Sequence, residues 1–176
     1  MGRDKALLPW KDGTLLSHAV AQIRDVVHDV RILAGSADRY AFPGVPSVAD
    51  VESGLGPLGA LRSALEDSAP RPLLLLAVDL PLLPVALLEH ILGSAAGFDA
   101  VIPHSLSGPE PLAAFYSTAC LEPVRRRLAT GERRMSCFWG DVSVRHLRPE
   151  ETGTFGDAER LFANINSPAD LARFGG

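Results

Sequence analysis

The sequence predicts a three-layer α/β sandwich built on a mostly parallel, Rossmann-like sheet. Two observations lead to this prediction. Segments in which apolar residues recur at helical spacing alternate with short apolar segments, and one of these short segments has six consecutive apolar residues with no polar residue between them. A strand that is apolar on both faces is typical of a parallel sheet with helices on each side. The alternation favours right-handed crossover connections within one sheet.

Local start signals support the predicted helices. Thr14 stands at an N-cap position, Pro57 stands where a first helical turn tolerates proline, and Ser167 begins a cap with proline next and Asp170 three residues on. The predicted helices cover 15–27, 58–65, 83–95, 121–128 and a segment from 168 onward.

The predicted strands are the short apolar stretches between these helices. The clearest is the run 73–78, six apolar residues between Pro72 and Asp79, which suits a strand in the middle of a sheet. The other predicted strands cover 30–34, a short stretch around Val48, 100–102, 111–116 and 142–147. The whole chain, 1–176, is interpreted as a single domain.

Composition narrows the class of protein. The chain has 176 residues, a formal net charge of −4, 47% hydrophobic and 22% charged residues, which is the balance of a globular domain and not of a disordered one. Its mild acidity argues against a dedicated nucleic-acid binder. No apolar run is long enough for a membrane span, no signal core follows the first residues, and two cysteines indicate reduced thiols, so a cytoplasmic location is expected.

Asp79 is the sharpest candidate for chemistry. It ends the long apolar run, and ligands of open parallel sheets bind at the carboxyl ends of the strands. A carboxylate there can hold Mg²⁺, which commonly takes one or two carboxylates together with substrate phosphates. The alternative is a structural role as the N-cap of the helix that begins near Pro84.

Three further features could contribute to the same edge of the sheet. Asp50 precedes a glycine-rich loop at 54–59, where the backbone can approach a ligand and a helix start can face an anion. Lys5 lies in a compact charged segment ahead of the first helix, and Asn164 and Asn166 precede the last helix. Each has a structural alternative: a tight turn, a solvated lysine, or asparagine capping.

The remaining candidates are weaker. His104 follows a predicted strand, and the pair Arg133–Arg134 lies in a loop that could grip a phosphate. The sequence has no Walker loop, no zinc-protease motif and no Ser-His-Asp order that indicates a hydrolase.

Taken together, these segments resemble a known family. The first five residues match the second half of the nucleotidyltransferase signature L-A-G-G-x-S-x-R-M-G-x-D-K, followed in order by Asp50 with 56–59, 78–81 and 164–168. The segments 111–116 and 131–134 also resemble later parts of the pattern. The chain is similar over nearly its whole length to the molybdenum cofactor guanylyltransferases, a family of the nucleotide-diphospho-sugar transferase fold.

The resemblance implies a transferase that moves GMP from GTP to molybdopterin bearing molybdenum and releases pyrophosphate, with Mg²⁺ as cofactor. It implies that Lys5 holds the triphosphate, Asp50 contacts the nucleotide and Asp79 carries the metal. Asn166 would be a second polar partner at the metal, and Asn164 would meet the acceptor. Other cofactor-biosynthesis or acceptor proteins are possible partners.

One departure from the family pattern matters. The glycine-rich half of the signature and the strand before it are absent, so the chain is expected to be truncated by roughly a dozen to fifteen residues, one strand and its loop. Ala34 and Gly35 stand where some relatives have an asparagine that touches the nucleotide. The sequence therefore does not decide whether the nucleotide donor is GTP or CTP. The alternatives are cytidylyl transfer to the same cofactor, nucleotidyl transfer to another phosphorylated acceptor, and a non-catalytic module that binds the cofactor.

Overall fold

The computed structural model describes residues 4–36 and 39–174. Within them a short 3₁₀ turn, Lys5–Leu7, leads into nine strands and six α-helices. In chain order these are β1 (Pro9–Trp10), β2 (Gly13–Thr14), α1 (Leu15–Arg24), β3 (Ile32–Gly35), β4 (Ser47–Ala49), α2 (Gly56–Ser68), β5 (Leu73–Leu76), α3 (Val85–Gly93), β6 (Ala100–Ser105), β7 (Gly108–Pro109), β8 (Ala113–Tyr116), α4 (Leu121–Ala129), β9 (Val144–Leu147), α5 (Pro149–Thr152) and α6 (Pro168–Phe174).

The predicted α/β class is confirmed, with strands that fall into three hydrogen-bonded groups. β1 and β2 form a small antiparallel hairpin, and β3 pairs with β4 in parallel. The third group has the order β5-β8-β6-β7, with β9 parallel to β6 on its other side. β8 runs antiparallel to both β5 and β6, so β5, β6 and β9 point the same way.

Successive side chains on β6 and β8 point to opposite faces of the sheet, and each face packs against its own hydrophobic core. Ala100 and Ile102 face a core shared with α2 and α4, whereas Val101 faces a core shared with α3. Because successive residues of a strand point to opposite faces, both faces of this sheet are buried. None of the helices in the part of the chain described is long and apolar enough to cross a membrane.

The local start signals work as predicted. Thr14 caps α1 and accepts from the Ser17 backbone N–H at 3.2 Å, while the Ser17 hydroxyl accepts from Thr14 N at 2.8 Å. Ser167 Oγ accepts from Asp170 N at 3.3 Å before α6. The hairpin β1–β2, the short strand β7 and the helix α5 are additional elements, which are too short to produce a recognisable period.

Candidate active site

Lys5, Asp79 and Asn166 meet at the carboxyl end of β5. Lys5 Nζ donates to Asp79 Oδ2, and the same ammonium lies 3.5 Å from Asn166 Oδ1. Asp79 is only 8% exposed, whereas the Lys5 side chain is 47% exposed. Two oxygen-bearing side chains and one cation therefore converge from three segments that are far apart in the sequence.

The loop that follows β5 is held by backbone contacts that orient Asp79. Ile165 N–H donates to the Asp79 carbonyl at 2.9 Å, which joins this loop to the segment before α6. Ile165 is fully buried between two exposed asparagines, so its burial pins the segment that carries Asn166. No side chain caps α3, which begins after Pro84, so the alternative role of Asp79 as an N-cap is wrong.

The 3₁₀ turn that carries Lys5 is anchored on both sides. Asp4 Oδ1 accepts from Ala6 N–H at 3.2 Å, and Ala6 itself is buried. The other carboxylate oxygen of Asp4 accepts from Tyr40 Oη at 2.7 Å and from Arg39 at 3.0 Å. The hydrogen bond from Tyr40 holds the pKa of Asp4 below its usual range. Burial, followed by the hydrogen bond to Asp4, raises the pKa of Tyr40 to about 12. At neutral pH Asp4 is therefore a charged acceptor and Tyr40 a donor.

Asp50 lines a cleft of about 400 Å³. Asp50 N–H donates to the Gly35 carbonyl at 3.1 Å, so it follows the parallel pair β3–β4 directly. Gly56, at φ +65°, and Pro57 begin α2 on the same cleft, and Leu55 before them provides no side-chain cap. The first amides of this 13-residue helix are thus left to meet a ligand, as helix starts do for anions.

Asp4 links the Asp50 cleft to the Lys5–Asp79 cluster. Arg39 and Tyr40 line the Asp50 cleft and bond the residue next to Lys5. Parallel strands bring their carboxyl ends to one edge, and Asp50 and Asp79 follow two such strands. This edge therefore offers a pocket with room for a planar or sugar group, next to a site with a carboxylate and a cation.

Comparison with known proteins gives the family. A family model described as a MobA-like NTP transferase domain matches residues 1–144. A Deinococcus radiodurans protein named probable molybdenum cofactor guanylyltransferase is 34% identical over 181 residues, covering 99% of this chain and 87% of that protein. The chain belongs to the MobA-like NTP transferase family. It is therefore a nucleotidyltransferase of the molybdenum cofactor guanylyltransferase type.

Two solved structures share the fold. Molybdopterin-guanine dinucleotide biosynthesis protein A from Archaeoglobus fulgidus has a TM-score of 0.81 at 23% identity, covering 99% of this chain and 90% of that one. The Mycobacterium tuberculosis protein Rv0371c, solved in complex with manganese, has a TM-score of 0.70 at 23% identity, covering 99% and 92%. The expected nucleotide-diphospho-sugar transferase fold is confirmed.

Of the five site residues that the sequence predicts for the nucleotidyltransferase, three lie in contact and two lie apart. Lys5, Asp79 and Asn166 form the cluster, and Asp50 lines the neighbouring cleft. Asn164 is exposed and makes no side-chain hydrogen bond within residues 4–36 and 39–174.

The weaker candidates have structural partners. His104 Nε2 and His146 Nδ1 lie 2.9 Å apart on the neighbouring strands β6 and β9. Arg133 donates to the backbone carbonyls of Leu128 and Glu132, at 3.3 and 2.8 Å. Neither arrangement brings these side chains to the Lys5–Asp79 cluster.

Sequence reasoning missed three residues that position the site of the nucleotidyltransferase. Arg39 and Tyr40 hold Asp4, and nothing in their local pattern signals this because they lie in a loop. His18 Nε2 lies 2.9 Å from the Pro81 carbonyl, two residues beyond Asp79, and burial lowers the pKa of this histidine. The neutral imidazole therefore donates to Pro81 and steadies the loop.

The stability of this loop is expected to depend on pH through His18. Since its pKa in the folded state lies below the ordinary 6.5, protonation favours unfolding, and stability falls as pH drops through 6.5. His18→Gln keeps an N–H donor without the titration, so its free energy of unfolding should fall less between pH 7 and pH 5. Urea unfolding of both proteins at pH 7, 6 and 5 measures the difference, and identical pH dependence would exclude this role.

Proposed function

We propose that this chain transfers GMP from GTP to molybdopterin bearing molybdenum and releases pyrophosphate. The observation that carries the proposal is the contact of Lys5, Asp79 and Asn166 at the carboxyl end of β5, beside the Asp50 cleft. The named guanylyltransferase relative supports the acceptor and the base. In the reaction an oxygen of the acceptor phosphate bonds to the α-phosphorus of GTP, and the bond from that phosphorus to the pyrophosphate oxygen breaks.

The donor set at Asp79 fits a hard divalent cation. Asp79 Oδ2 and Asn166 Oδ1 both point at the position of the Lys5 ammonium, so two oxygen ligands already converge on one positive group. Mg²⁺ takes few protein carboxylates and completes its shell with water and substrate phosphates. When bound, Mg²⁺ would neutralise the triphosphate and the leaving pyrophosphate. The manganese complex of the fold neighbour is consistent with such a site.

Lys5 has a second position available once a cation binds Asp79. Its side chain is 47% exposed and sits on a short turn, so the ammonium can swing from the carboxylate to a phosphate oxygen. A lysine acts on phosphate as a mobile point charge. Lys5 would thereby lower the repulsion between the acceptor phosphate and the triphosphate without any change in the buried Asp79.

The Asp50 cleft would hold the nucleoside. Asp50 offers acceptor oxygens to a ribose or base, and the glycines at 54 and 56 let the backbone approach closely. Asn164, exposed on the segment next to Asn166, would meet the acceptor. The acceptor phosphate is already an anion, so the reaction requires positioning and charge neutralisation and does not require a general base.

The test is a comparison of nucleotides. With Mg²⁺ and molybdenum-bearing molybdopterin, pyrophosphate release should be about 10²-fold faster with GTP than with CTP at equal concentration, because a site that hydrogen-bonds one base rejects the other. Calorimetry of Mg²⁺-GTP and Mg²⁺-CTP on the same protein separates binding from turnover. A preference for CTP would overturn the guanylyl assignment, and failure to bind either nucleotide would overturn nucleotidyl transfer by this chain.

A further inference from the structure

A pair of histidines lies at the carboxyl ends of β6 and β9. His104 Nε2 and His146 Nδ1 are 2.9 Å apart, and the two rings meet nearly edge to face, at 77° with their centroids 5.0 Å apart. Neither side chain joins the Lys5–Asp79 cluster, so the proposed nucleotidyl transfer leaves this pair without a role.

The register of the two strands brings the rings together. β6 and β9 are parallel, with Ile102 opposite His146, so His104 lies two residues further along on the same face of the sheet as Ile102. Strands about 4.8 Å apart and a step of about 6.6 Å along one of them place the two histidines on a diagonal that their side chains can span. The contact therefore follows from the strand pairing.

The backbone around each histidine is held in place. The hydroxyl of the buried Thr152 donates to the His104 carbonyl at 2.8 Å. Leu147, next to His146, is fully buried in the core shared with α3. Trp139 closes one side, with its ring 5.5 Å from the His146 ring and at 65° to it. Ligands that are fixed in this way suit a metal site, because binding does not have to order them.

The protonation of the pair leaves it ready for a cation. Only one proton can lie between the two facing nitrogens, so one imidazole donates and the other accepts. Burial, followed by the neighbouring His146, lowers the pKa of His104, which is therefore neutral at neutral pH. A neutral imidazole has the lone pair that metal binding requires.

The separation of the two nitrogens discriminates between metals. Two ligands that each lie about 2.05 Å from one ion are about 2.9 Å apart at a right angle and about 3.3 Å apart at the tetrahedral angle. The observed 2.9 Å between His104 Nε2 and His146 Nδ1 matches the right angle, which is typical of tetragonal Cu²⁺ and Ni²⁺ sites. The last side-chain torsion of histidine is soft, so both rings can turn their lone pairs towards one such ion.

We propose that His104 and His146 form a two-histidine site for a late first-row transition-metal dication, with Cu²⁺ and Ni²⁺ preferred over Zn²⁺. The imidazole that donates would move its proton to its other ring nitrogen, so that both facing nitrogens bind the metal with no net release of protons. Within residues 4–36 and 39–174 no third histidine, cysteine, aspartate or glutamate joins the pair, so water or an exogenous ligand would complete the shell.

This site is separate from the one proposed at Asp79. Imidazole suits Cu²⁺, Ni²⁺ and Zn²⁺, whereas Mg²⁺ takes oxygen ligands. A metal on the histidines would join the ends of β6 and β9, and its binding would not depend on a nucleotide. Its presence can therefore be tested whether or not the chain transfers GMP.

Calorimetry with Ni²⁺ on the untagged chain, without nucleotide, tests the site. The unmodified protein should bind one Ni²⁺ with a Kd in the micromolar range. His104→Gln and His146→Gln should each weaken binding at least about tenfold, since the loss of a ligand costs no less than the loss of a residue that supports one. His28→Gln is the matched control, because His28 is an exposed histidine outside the pair, and it should bind Ni²⁺ as the unmodified protein does.

Cu²⁺ gives a readout of the ligands themselves. Its paramagnetic resonance spectrum should show splitting by two nitrogens in the unmodified protein and by one in either variant, and excess Mg²⁺ should leave the spectrum unchanged. Ni²⁺ should also raise the melting temperature of the unmodified protein more than that of His104→Gln or His146→Gln.

Four results would overturn the two-histidine site. These are binding of Ni²⁺ only at millimolar concentration, equal affinity in the unmodified protein and both variants, an equal loss of affinity in His28→Gln, and displacement of the metal by excess Mg²⁺, which would place it at Asp79 instead. The melting temperature without metal checks that each variant folds. Should one variant unfold, the other variant and the nitrogen splitting of the unmodified protein still decide the result.

Discussion

Asp79→Asn is expected to lower kcat for Mg²⁺-dependent pyrophosphate release by about 10³-fold while the fold is retained. Loss of one group that stabilises developing charge in a buried site costs about 10² to 10³ in rate, and here the same change also removes a negative metal ligand. Asn fits the same space and can still accept from Lys5, so the loop after β5 should keep its position.

The experiment on Asp79 needs one readout besides turnover. Free Mn²⁺, followed by its paramagnetic resonance in the presence of GTP, should decrease on adding the unmodified protein and decrease far less with Asp79→Asn. Asp12→Asn is the matched control, since Asp12 is an exposed aspartate in the β1–β2 turn. Normal turnover and normal Mn²⁺ binding by Asp79→Asn would remove this residue from the metal site.

Lys5→Met is expected to raise KM for GTP and to lower kcat, together reducing kcat/KM by about 10²-fold. Met keeps the length of the aliphatic stem without the ammonium, so contacts to the triphosphate are lost and packing of the turn is largely kept. The variant also leaves the carboxylate of Asp79, which is 8% exposed, without its cation. Because the Lys5 side chain is half-exposed, the stability cost should be modest, about 1 kcal/mol.

The stability of Lys5→Met gives a second, separate result. Without the ammonium, the binding of Mg²⁺ supplies the missing positive charge at Asp79, so added Mg²⁺ should raise the melting temperature more in this variant than in the unmodified protein. Lys11→Met is the control, because Lys11 is an exposed lysine in the β1–β2 turn. An equal response to Mg²⁺ in all three proteins would contradict competition between Lys5 and a metal at this carboxylate.

Much of the fold follows from local patterns. Thr14 and Ser167 cap their helices as predicted because a cap depends on residues within one turn. The apolar run ending at Asp79 indicates a strand with a carboxylate at its end, and that is where Asp79 lies. The predicted strand 73–78 is two residues too long, because β5 ends at Leu76. Ala77 N–H still donates to the Leu112 carbonyl, and the backbone turns after it.

The site itself was predicted only as a set of separate residues. The family resemblance grouped Lys5, Asp79 and Asn166, but neither periodicity nor spacing could indicate that an ammonium at position 5 would bond a carboxylate 74 positions later. The sequence pattern does not indicate a role for Tyr40 and Arg39, because both residues bond Asp4 across a contact between two segments that are distant in the chain. Asn164 has no contact that would define its role, so its assignment to the acceptor stays a prediction.

The sequence by itself determined five of the helices, the longer strands and the carboxylate that follows the most apolar strand. These properties depend on neighbouring residues, whose periodicity sets the buried faces. Only the tertiary structure decided that Lys5 neutralises Asp79 and that Arg39 and Tyr40 hold Asp4. The reason is physical: strand pairing and ion pairing join groups that are distant along the chain, so they depend on how the helices pack and not on local pattern.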